Sequence, residues 1–255
     1  MPKKHLGQNF LFDRAILARI VEASGVAADD TVVEIGPGPG GLTRLLAETA
    51  KKVIAIELDQ GLYDRLRAEL IGYRNVELVH ADAMKFPYEE IGQFKVAANI
   101  PYYITTPIVF RLLEAKETLK TMTLTIQKEV AERIVAPPGG KDYGVLSIMV
   151  QYLARPELRF VIPREEFRPV PKVDSAVVHM TILESPAVRV ADEKTFFRVV
   201  RTAFSQRRKT LSNSLKGLAD DPKEALAAAG IDPQRRPETL GLEEFARLAD
   251  ALREV

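Results

Sequence analysis

A glycine-rich loop between a β-rich run and a helical run is the segment that most restricts the fold. The β-rich run is Thr31–Gly36, and the loop Glu34–Gly41 reads Glu-Ile-Gly-Pro-Gly-Pro-Gly-Gly. Its glycines at Gly36, Gly38 and Gly41 satisfy the G-x-G-x-x-G pattern of nucleotide-binding βαβ units. The pattern predicts a ligand at the end of a strand in an α/β sheet. A tight strand-to-helix turn without a ligand is the alternative.

Further apolar runs alternate with helical segments along the next ninety or so residues. Thr106 followed by Pro107 predicts an N-cap and the first residue of a helix, and Asp13 predicts another N-cap. Strands that alternate with helices indicate βαβ units and a parallel sheet covered on both faces. The predicted strands are Val53–Glu57, Val76–Val79, Phe94–Ala98 and Thr121–Ile126.

The pattern changes in the last third of the chain. Leu158–Ile162 and Ala176–Ile182 read as strands, the second alternating as an antiparallel strand does. From residue 192 onward the signals are helical only. We therefore predict a Rossmann-like, mostly parallel α/β sheet with an antiparallel strand near its C-terminal end, in residues 1–187. Residues 188–255 are predicted to form a small all-helical domain.

Composition excludes several classes of site. The chain has 255 residues, 46% of them hydrophobic and none of them cysteine, so we expect a large buried core and no disulfide or cysteine–metal site. The segment Met1–Phe10 has no apolar run behind its lysines, and no stretch is long enough to span a bilayer. The three histidines, His5, His80 and His179, lack metal-ligand spacing. We expect a cytoplasmic protein without a metal.

The loop favours S-adenosylmethionine over a dinucleotide. A pyrophosphate binds best where backbone N–H groups are available and anions are absent, yet Pro37 and Pro39 remove two such donors and Glu34 lies just before the first glycine. S-adenosylmethionine carries no phosphate and has two positive groups. We expect Gly36 and Gly38 to line its site. We expect the carboxylate of Glu57 to accept from both ribose hydroxyls and that of Asp82 to accept from the adenine amine.

The fourth predicted strand of the sheet runs into Asn99-Ile-Pro-Tyr102. An adenine amine is a weak nucleophile because its lone pair is delocalised into the ring. The side-chain oxygen of Asn99 and the carbonyl of Ile100 can accept hydrogen bonds from that amine as it gains positive charge. Pro101 fixes the turn, and Tyr102 offers a ring for an extruded base. A turn that ends in a core tyrosine is the alternative.

Several segments of the chain together resemble the ribosomal RNA adenine dimethyltransferases. The resemblance covers essentially the whole chain, and Ala203–Leu211 is similar to the bacterial KsgA branch, which acts on the small subunit. Leu6 stands where that pattern has phenylalanine. The other segments that carry the resemblance are Gly7–Leu11, Glu34–Gly40, Asn99–Tyr102 and Phe167–Ser175.

The resemblance implies a substrate and a set of site residues. The substrate would be two adjacent adenines in the hairpin loop near the 3′ end of 16S rRNA, within the immature small subunit, each methylated twice on N6. Phe167 would cover the face of the target base opposite Tyr102. The cofactor contacts that the resemblance implies are Asn9, Leu11, Gly36, Glu57, Asp82 and Asn99.

A short basic segment near the C-terminus is the candidate RNA-docking surface. The net charge of the whole chain is only +1, so a polyanion would need a local positive surface. In a continuous helix Arg198, Arg201 and Arg208 would lie on one stripe of the helix surface. Pairing with Asp220 and Glu224 is the alternative interpretation. The candidates are Arg198, Arg201, Arg207, Arg208 and Lys209.

Three rival functions remain open on the sequence. An NAD-linked oxidoreductase would explain the glycine loop, but it has no use for Asn99–Tyr102. A methyltransferase acting on DNA or on large-subunit rRNA would share the same cofactor core. A non-catalytic RNA-binding factor of ribosome assembly is the third possibility, although intact Glu57, Asp82 and Asn99 argue against a dead enzyme. We expect a monomer.

Overall fold

The computed structural model describes residues 9–218 and 221–253. The chain divides into two compact units, residues 1–131 with 156–182 and residues 132–155 with 183–255. Residues 132–155 thus group with the helical C-terminal part, whereas the sequence analysis had placed them before its boundary at residue 187. The assignment of separate tasks to two domains stays a prediction.

Nine strands and ten α-helices lie within the described residues. The strands are β1 (Phe10–Leu11), β2 (Thr31–Ile35), β3 (Lys52–Glu57), β4 (Val76–His80), β5 (Phe94–Asn99), β6 (Leu119–Gln127), β7 (Ala154–Ile162), β8 (Phe167–Arg168) and β9 (Ser175–Ile182). The helices are α1 (Arg14–Ser24), α2 (Gly41–Thr49), α3 (Gln60–Glu69), α4 (Thr105–Glu114), α5 (Lys128–Val135), α6 (Val145–Leu153), α7 (Glu193–Ser205), α8 (Leu211–Ser214), α9 (Pro222–Ala228) and α10 (Leu242–Ala251).

A seven-stranded sheet with the order β4-β3-β2-β5-β6-β9-β7 forms the framework of the first unit. The five strands β2 to β6 pair with one another in parallel, and β9 is antiparallel to β6. The predicted strands are confirmed, including the antiparallel one. β1 and β8 form a separate two-stranded antiparallel sheet, in which Leu11 faces Phe167.

The central strand β2 shows why a near-continuous apolar run becomes a strand here. Val32 and Val33 point to opposite faces of the sheet, and both are fully buried. The helix α1 begins as predicted, because the carboxylate of Asp13 accepts from the backbone N–H groups of Ala15 and Ile16. Along the described residues, no helix combines the length and the apolar character needed to cross a bilayer.

The predicted start of α4 is wrong. The helix begins at Thr105, after a 3-10 turn at Tyr102–Ile104, and no side chain caps it. Pro107 is therefore the third residue of the helix and not the first. The turn that leaves β5 leads directly into the helix, so its geometry is set by the end of the strand and not by a capping side chain.

The second unit is helical and has its own core. Phe196 and Phe204 of α7 and Phe245 of α10 are buried in it, and Tyr152 stacks on Phe196 with ring centroids 4.8 Å apart. The sequence analysis did not predict α6 within this unit. That helix is apolar almost throughout, so it shows no contrast between a buried and a solvated face from which a helical period could be detected.

Candidate active site

Four of the predicted cofactor and catalytic positions meet at the carboxyl edge of the parallel sheet. Gly36 follows β2, Glu57 ends β3, Asp82 lies two residues after β4, and Asn99 ends β5. Parallel strands present their carboxyl ends at one edge, which is where open α/β sheets bind ligands. The topology therefore brings together residues that are up to 63 positions apart in sequence.

Two adjoining clefts lie at this edge of the sheet. They share Gly36, Glu57 and Pro101, so they form one elongated depression. Its position at the strand ends suits a nucleotide-type ligand. The first cleft is also lined by Asn9, Phe10, Gly38, Asn99, Ile100 and Tyr102, and the second by Ile35, Ile56, Leu58, Ala81, Asp82, Ala83, Tyr103 and Ile104.

Glu57 lies between the two clefts, in their shared wall. One carboxylate oxygen accepts from the backbone N–H of Asp59 at 2.8 Å, and the other from that of Gly38 at 3.3 Å. Burial raises the pKa of Glu57, while these backbone N–H groups favour its charged form and act in the opposite direction. The carboxylate is thus held in one orientation and keeps further lone pairs for a diol.

Glycine is required in the loop for two separate reasons. Gly38 has a φ of 56°, and a Cβ atom there would lie 2.8 Å from the ring of Phe10. Gly40 has a φ of 77°, and a Cβ atom there would lie 2.5 Å from a methyl group of Leu66. Both the left-handed backbone and the close packing exclude a side chain. The guanidinium of Arg44 also holds the loop, because it donates to the backbone carbonyl of Pro39 at 3.0 Å.

The second cleft has the character of a site for a purine ring. Its walls combine Ile56 and Ala83 with Leu58 and Tyr103, and the last two are exposed. Asp82 faces the same space, and its orientation is fixed because one of its oxygens accepts from the backbone N–H of Met84 at 2.9 Å. Apolar walls with one carboxylate acceptor suit an aromatic base that bears an amine. The sequence analysis did not identify Leu58 or Tyr103.

The side chain of Asn99 is oriented by Asn9, the residue that precedes β1. Its side-chain NH₂ donates to the backbone carbonyl of Asn9 at 3.1 Å. Since only the NH₂ end of the amide can donate to a carbonyl, the side-chain oxygen is the end that remains for another partner. The backbone N–H of Ile100 donates to the Thr125 carbonyl at 3.1 Å, which fixes the start of the turn. The side chain of Leu11, a predicted cofactor contact, is buried in the core of the first unit and lines neither cleft.

Tyr102 is partly buried, and its hydroxyl lies 2.7 Å from the hydroxyl of Ser175. Burial raises the pKa of Tyr102, and the Ser175 hydrogen bond partly opposes that shift. Phe10 lines the same cleft as Tyr102. The sequence analysis missed Phe10 because it read only the neighbouring Asn9 and Leu11 as contacts, although Phe10 lies between them in the same motif.

The predicted stacking role of Phe167 requires correction. Its side chain is 0% exposed and packs with Leu11, Ile162 and Val177 in the core of the first unit. A ring without an exposed face cannot stack on an incoming base, so the sandwich between Tyr102 and Phe167 is not formed in this structure. The pairing of Phe167 with Leu11 in the two-stranded sheet explains the burial.

The charge assigned to Glu34 also requires correction. Its side chain is 2% exposed, and burial raises its pKa to about 8, with the nearby carboxylate of Glu57 acting in the same direction. Glu34 is therefore mostly protonated at neutral pH and does not supply the negative charge that the loop sequence suggested. Of the two carboxyl groups beside the loop, only Glu57 lines the clefts.

The five basic candidates lie in the second unit and are all exposed. Arg198 and Arg201 lie on the solvent face of α7, but the helix ends at Ser205. The predicted continuous stripe is therefore wrong for Arg208, which follows in a turn. None of the five forms an ion pair within the part of the chain that the structure describes, Glu224 included. Asp220 lies outside the described residues.

Arg207 differs from the other four cations. Its guanidinium donates to the backbone carbonyls of Lys141 and Tyr143, at 2.6 and 3.1 Å, and therefore holds a neighbouring loop of the same unit. Among the described residues, no three His, Asp, Glu or Cys side chains are grouped so as to hold a metal ion. The predicted absence of a metal stays a prediction, and His5 lies outside the described residues.

The fold and the position of the site are those of the class I methyltransferases. A solved structure of the 23S rRNA methyltransferase ErmE matches with a TM-score of 0.76 and 33% identity, over 96% of this chain and 100% of its own. A dimethyladenosine transferase from Plasmodium falciparum matches with a TM-score of 0.79 and 29% identity, over 94% and 95% of the two chains.

The sequence comparison narrows this class to one family. Residues 2–254 match the ribosomal RNA adenine dimethylase family, and the chain belongs to it. The ribosomal RNA small subunit methyltransferase A of Caldanaerobacter subterraneus subsp. tengcongensis is 48% identical over 260 residues, which cover 98% of this chain and 97% of the relative. The resemblance drawn from the sequence motifs is confirmed.

The protonation of Glu34 predicts a pH-dependent cost of folding. Its pKa is about 8 in the folded protein against an ordinary 4.5, so the unfolded chain releases this proton at lower pH than the folded chain. Wild type should lose stability relative to Glu34→Gln as the pH rises from about 4.5 to about 8. Denaturant midpoints of both proteins at pH 5 and pH 8 test this. Parallel pH profiles would contradict it.

Replacement of Glu57 should weaken cofactor binding without unfolding the protein. We expect Glu57→Ala to cost on the order of 2–4 kcal/mol in S-adenosylmethionine affinity, because two hydrogen bonds to a charged group are lost. Isothermal titration calorimetry measures the affinity, and a thermal melt checks the fold. Glu22→Ala, which removes an exposed carboxylate on α1, is the control. Unchanged affinity in Glu57→Ala would remove Glu57 from the site.

Proposed function

We propose that this chain transfers methyl groups from S-adenosylmethionine to the N6 amines of two adjacent adenines in the hairpin loop near the 3′ end of 16S rRNA. Each adenine would be methylated twice, during maturation of the small subunit in the cytoplasm, by a monomer. The observation that carries the proposal is the continuity of the cleft between Glu57 and Asn99–Tyr102. Glu57, the proposed nucleoside-binding carboxylate, lines the same cleft as Asn99 and Ile100, the proposed acceptors for the target amine.

The relatives favour the small subunit over the large one. The relative named for the small subunit is 48% identical, whereas the one named for 23S rRNA is 33% identical. Both cover nearly the whole chain, so the difference does not come from a missing domain. An NAD-linked oxidoreductase and a non-catalytic assembly factor have no comparable support. An additional role in ribosome assembly is compatible with catalysis.

The residues present fit S-adenosylmethionine. Glu57 would hold the ribose hydroxyls, Asp82 the adenine amine, and the narrow glycine loop with Asn9 the methionine end. When bound, the cofactor supplies an electrophilic methyl group. The fit rests on the fixed carboxylate of Glu57, which is anchored by two backbone N–H groups, and on the apolar walls of the second cleft.

The chain's own groups act on the target amine through hydrogen bonds and stacking. The side-chain oxygen of Asn99, left available by the Asn9 contact, and the carbonyl of Ile100 would accept from the two N–H groups. This holds the nitrogen lone pair out of conjugation with the ring and opposes the positive charge that develops on it. The nitrogen is cationic immediately after the transfer, and this strongly acidic cation releases its proton to water, so no dedicated base is needed. The ring of Tyr102 would support the extruded base.

The exposed cations of the second unit are proposed to contact rRNA phosphates. Arg198, Arg201, Arg208 and Lys209 have no carboxylate partner within the described residues. A protein with a net charge of +1 must concentrate positive charge locally to bind a polyanion, because phosphate contacts supply much of the affinity. We assign Arg207 a secondary role, since its guanidinium is already bound to two backbone carbonyls.

The substrate is tested by methyl transfer from labelled cofactor to immature small subunits, to large subunits and to DNA, followed by mapping of the modified base. We expect two dimethylated adenines near the 3′ end of 16S rRNA and no label elsewhere. Asn99→Ala is the matched variant and should lose at least about a hundredfold in single-turnover rate while keeping its RNA affinity. Label in 23S rRNA or DNA alone would overturn the proposal.

The docking surface is tested by the salt dependence of RNA binding. Neutralising Arg198, Arg208 and Lys209 together should weaken RNA binding and lower the slope of log affinity against log salt by up to about 2–3 units, with cofactor affinity unchanged. Arg207 is kept because its loss would disturb the loop at 141–143. The control neutralises three exposed cations of the same unit that lie outside α7, which are Arg189, Lys223 and Arg253. An unchanged slope would place the surface elsewhere.

A further inference from the structure

Tyr102 and Ser175 form a hydrogen bond that does not involve Asn99 or Ile100, the proposed acceptors for the target amine. The two hydroxyl oxygens are 2.7 Å apart. Ser175 is fully buried at the start of β9, where it pairs with Gln127 at the end of β6. The position of its side chain is therefore set by the backbone pairing between β6 and β9.

Tyr102, in contrast, lies outside the sheet. It begins the 3-10 turn between β5 and α4, so its ring is joined to the framework only through the turn. A tyrosine side chain in such a position can rotate about two torsions unless a second point holds it. The hydroxyl of Ser175 provides that second point at the far end of the ring.

The chemistry of the two hydroxyls matches. Burial raises the pKa of Tyr102, and the nearby Asp174 carboxylate acts in the same direction, so the phenol stays neutral at physiological pH. A neutral phenol can both donate to and accept from a serine hydroxyl. Tyr102 therefore carries no charge with which to act as a base, and its hydroxyl serves to hold the ring.

We propose that Ser175 is a positioning residue for methyl transfer, which fixes the plane of the Tyr102 ring on which the target adenine stacks. The proposal rests on the proposed function. Because Phe167 is buried, it offers no second ring to the base. Alignment of the base therefore depends more strongly on the ring of Tyr102. A small rotation of that ring moves the reacting nitrogen out of line, and such misplacement costs rate more than affinity.

A double-mutant cycle tests the proposal. The variants are Ser175→Ala, Tyr102→Phe and the pair combined, compared in single-turnover experiments at saturating cofactor and RNA. Each single variant should react about five- to twentyfold more slowly than wild type. The double variant should be no slower than either single one, because both remove the same hydrogen bond. Ser175→Thr, which keeps the hydroxyl, should recover most of the rate.

A spectroscopic readout separates positioning from turnover. An RNA hairpin with 2-aminopurine at the target position reports stacking, because its fluorescence is quenched on an aromatic ring. Wild type should quench the bound probe, and Ser175→Ala should quench it less at equal RNA occupancy. Cofactor affinity should stay within about twofold of wild type, since Ser175 lines neither cleft.

A buried serine elsewhere provides the matched control. Ser147 is also fully buried, and its hydroxyl donates to the Arg133 carbonyl, but it belongs to the second unit. Ser147→Ala should lower the melting temperature and leave rate and quenching unchanged. A wild-type rate in either Ser175→Ala or Tyr102→Phe, or additive losses in the double variant, would overturn the proposal. If Ser175→Ala does not fold, Tyr102→Phe alone decides it. Failure of wild type to methylate the RNA would instead refute the proposed function.

Discussion

The site depends on the parallel register of the central strands. Ile35 pairs with Ile56, Glu57 with His80, and Asn99 with Thr125, so successive strands end at the same level. A register shift of one residue would turn every alternate side chain to the other face of the sheet. The burial of β2 and β5 on both faces makes such a shift costly, and the resulting precision is passed on to the groups at the strand ends.

The two carboxyl groups beside the glycine loop show how burial divides similar residues between different tasks. Glu34 lies beneath the loop, where desolvation keeps it protonated. Glu57 is also little exposed, but it accepts two backbone N–H groups and borders both clefts. A sequence that places acids on both sides of a loop therefore does not tell which acid carries charge. Hydrogen-bond partners and access to the cleft decide this.

The strands and the site residues at their ends could be predicted, because each follows from a local pattern: an apolar run, then a glycine, a carboxylate or an amide. The predictions that were wrong concern features that depend on packing between distant segments of the chain. The burial of Phe167 follows from its pairing with Leu11, 156 residues earlier in the chain. The end of α7 at Ser205 and the uniformly apolar α6 likewise reflect their neighbours in the folded unit.

The side chains of this site are held by fewer contacts the closer they lie to the target base. Glu57 accepts from two backbone N–H groups, Asn99 donates to the backbone carbonyl of Asn9, and Tyr102 is held by a single side-chain hydroxyl. The cofactor end is thus the more firmly built. In the proposed reaction the second transfer presents a base that already carries one methyl group, so the target end must accept two shapes of base. Each transfer uses a cofactor of the same shape, so Glu57 would meet one ligand geometry throughout. A single hydrogen bond at Tyr102 and two backbone contacts at Glu57 suit these different demands.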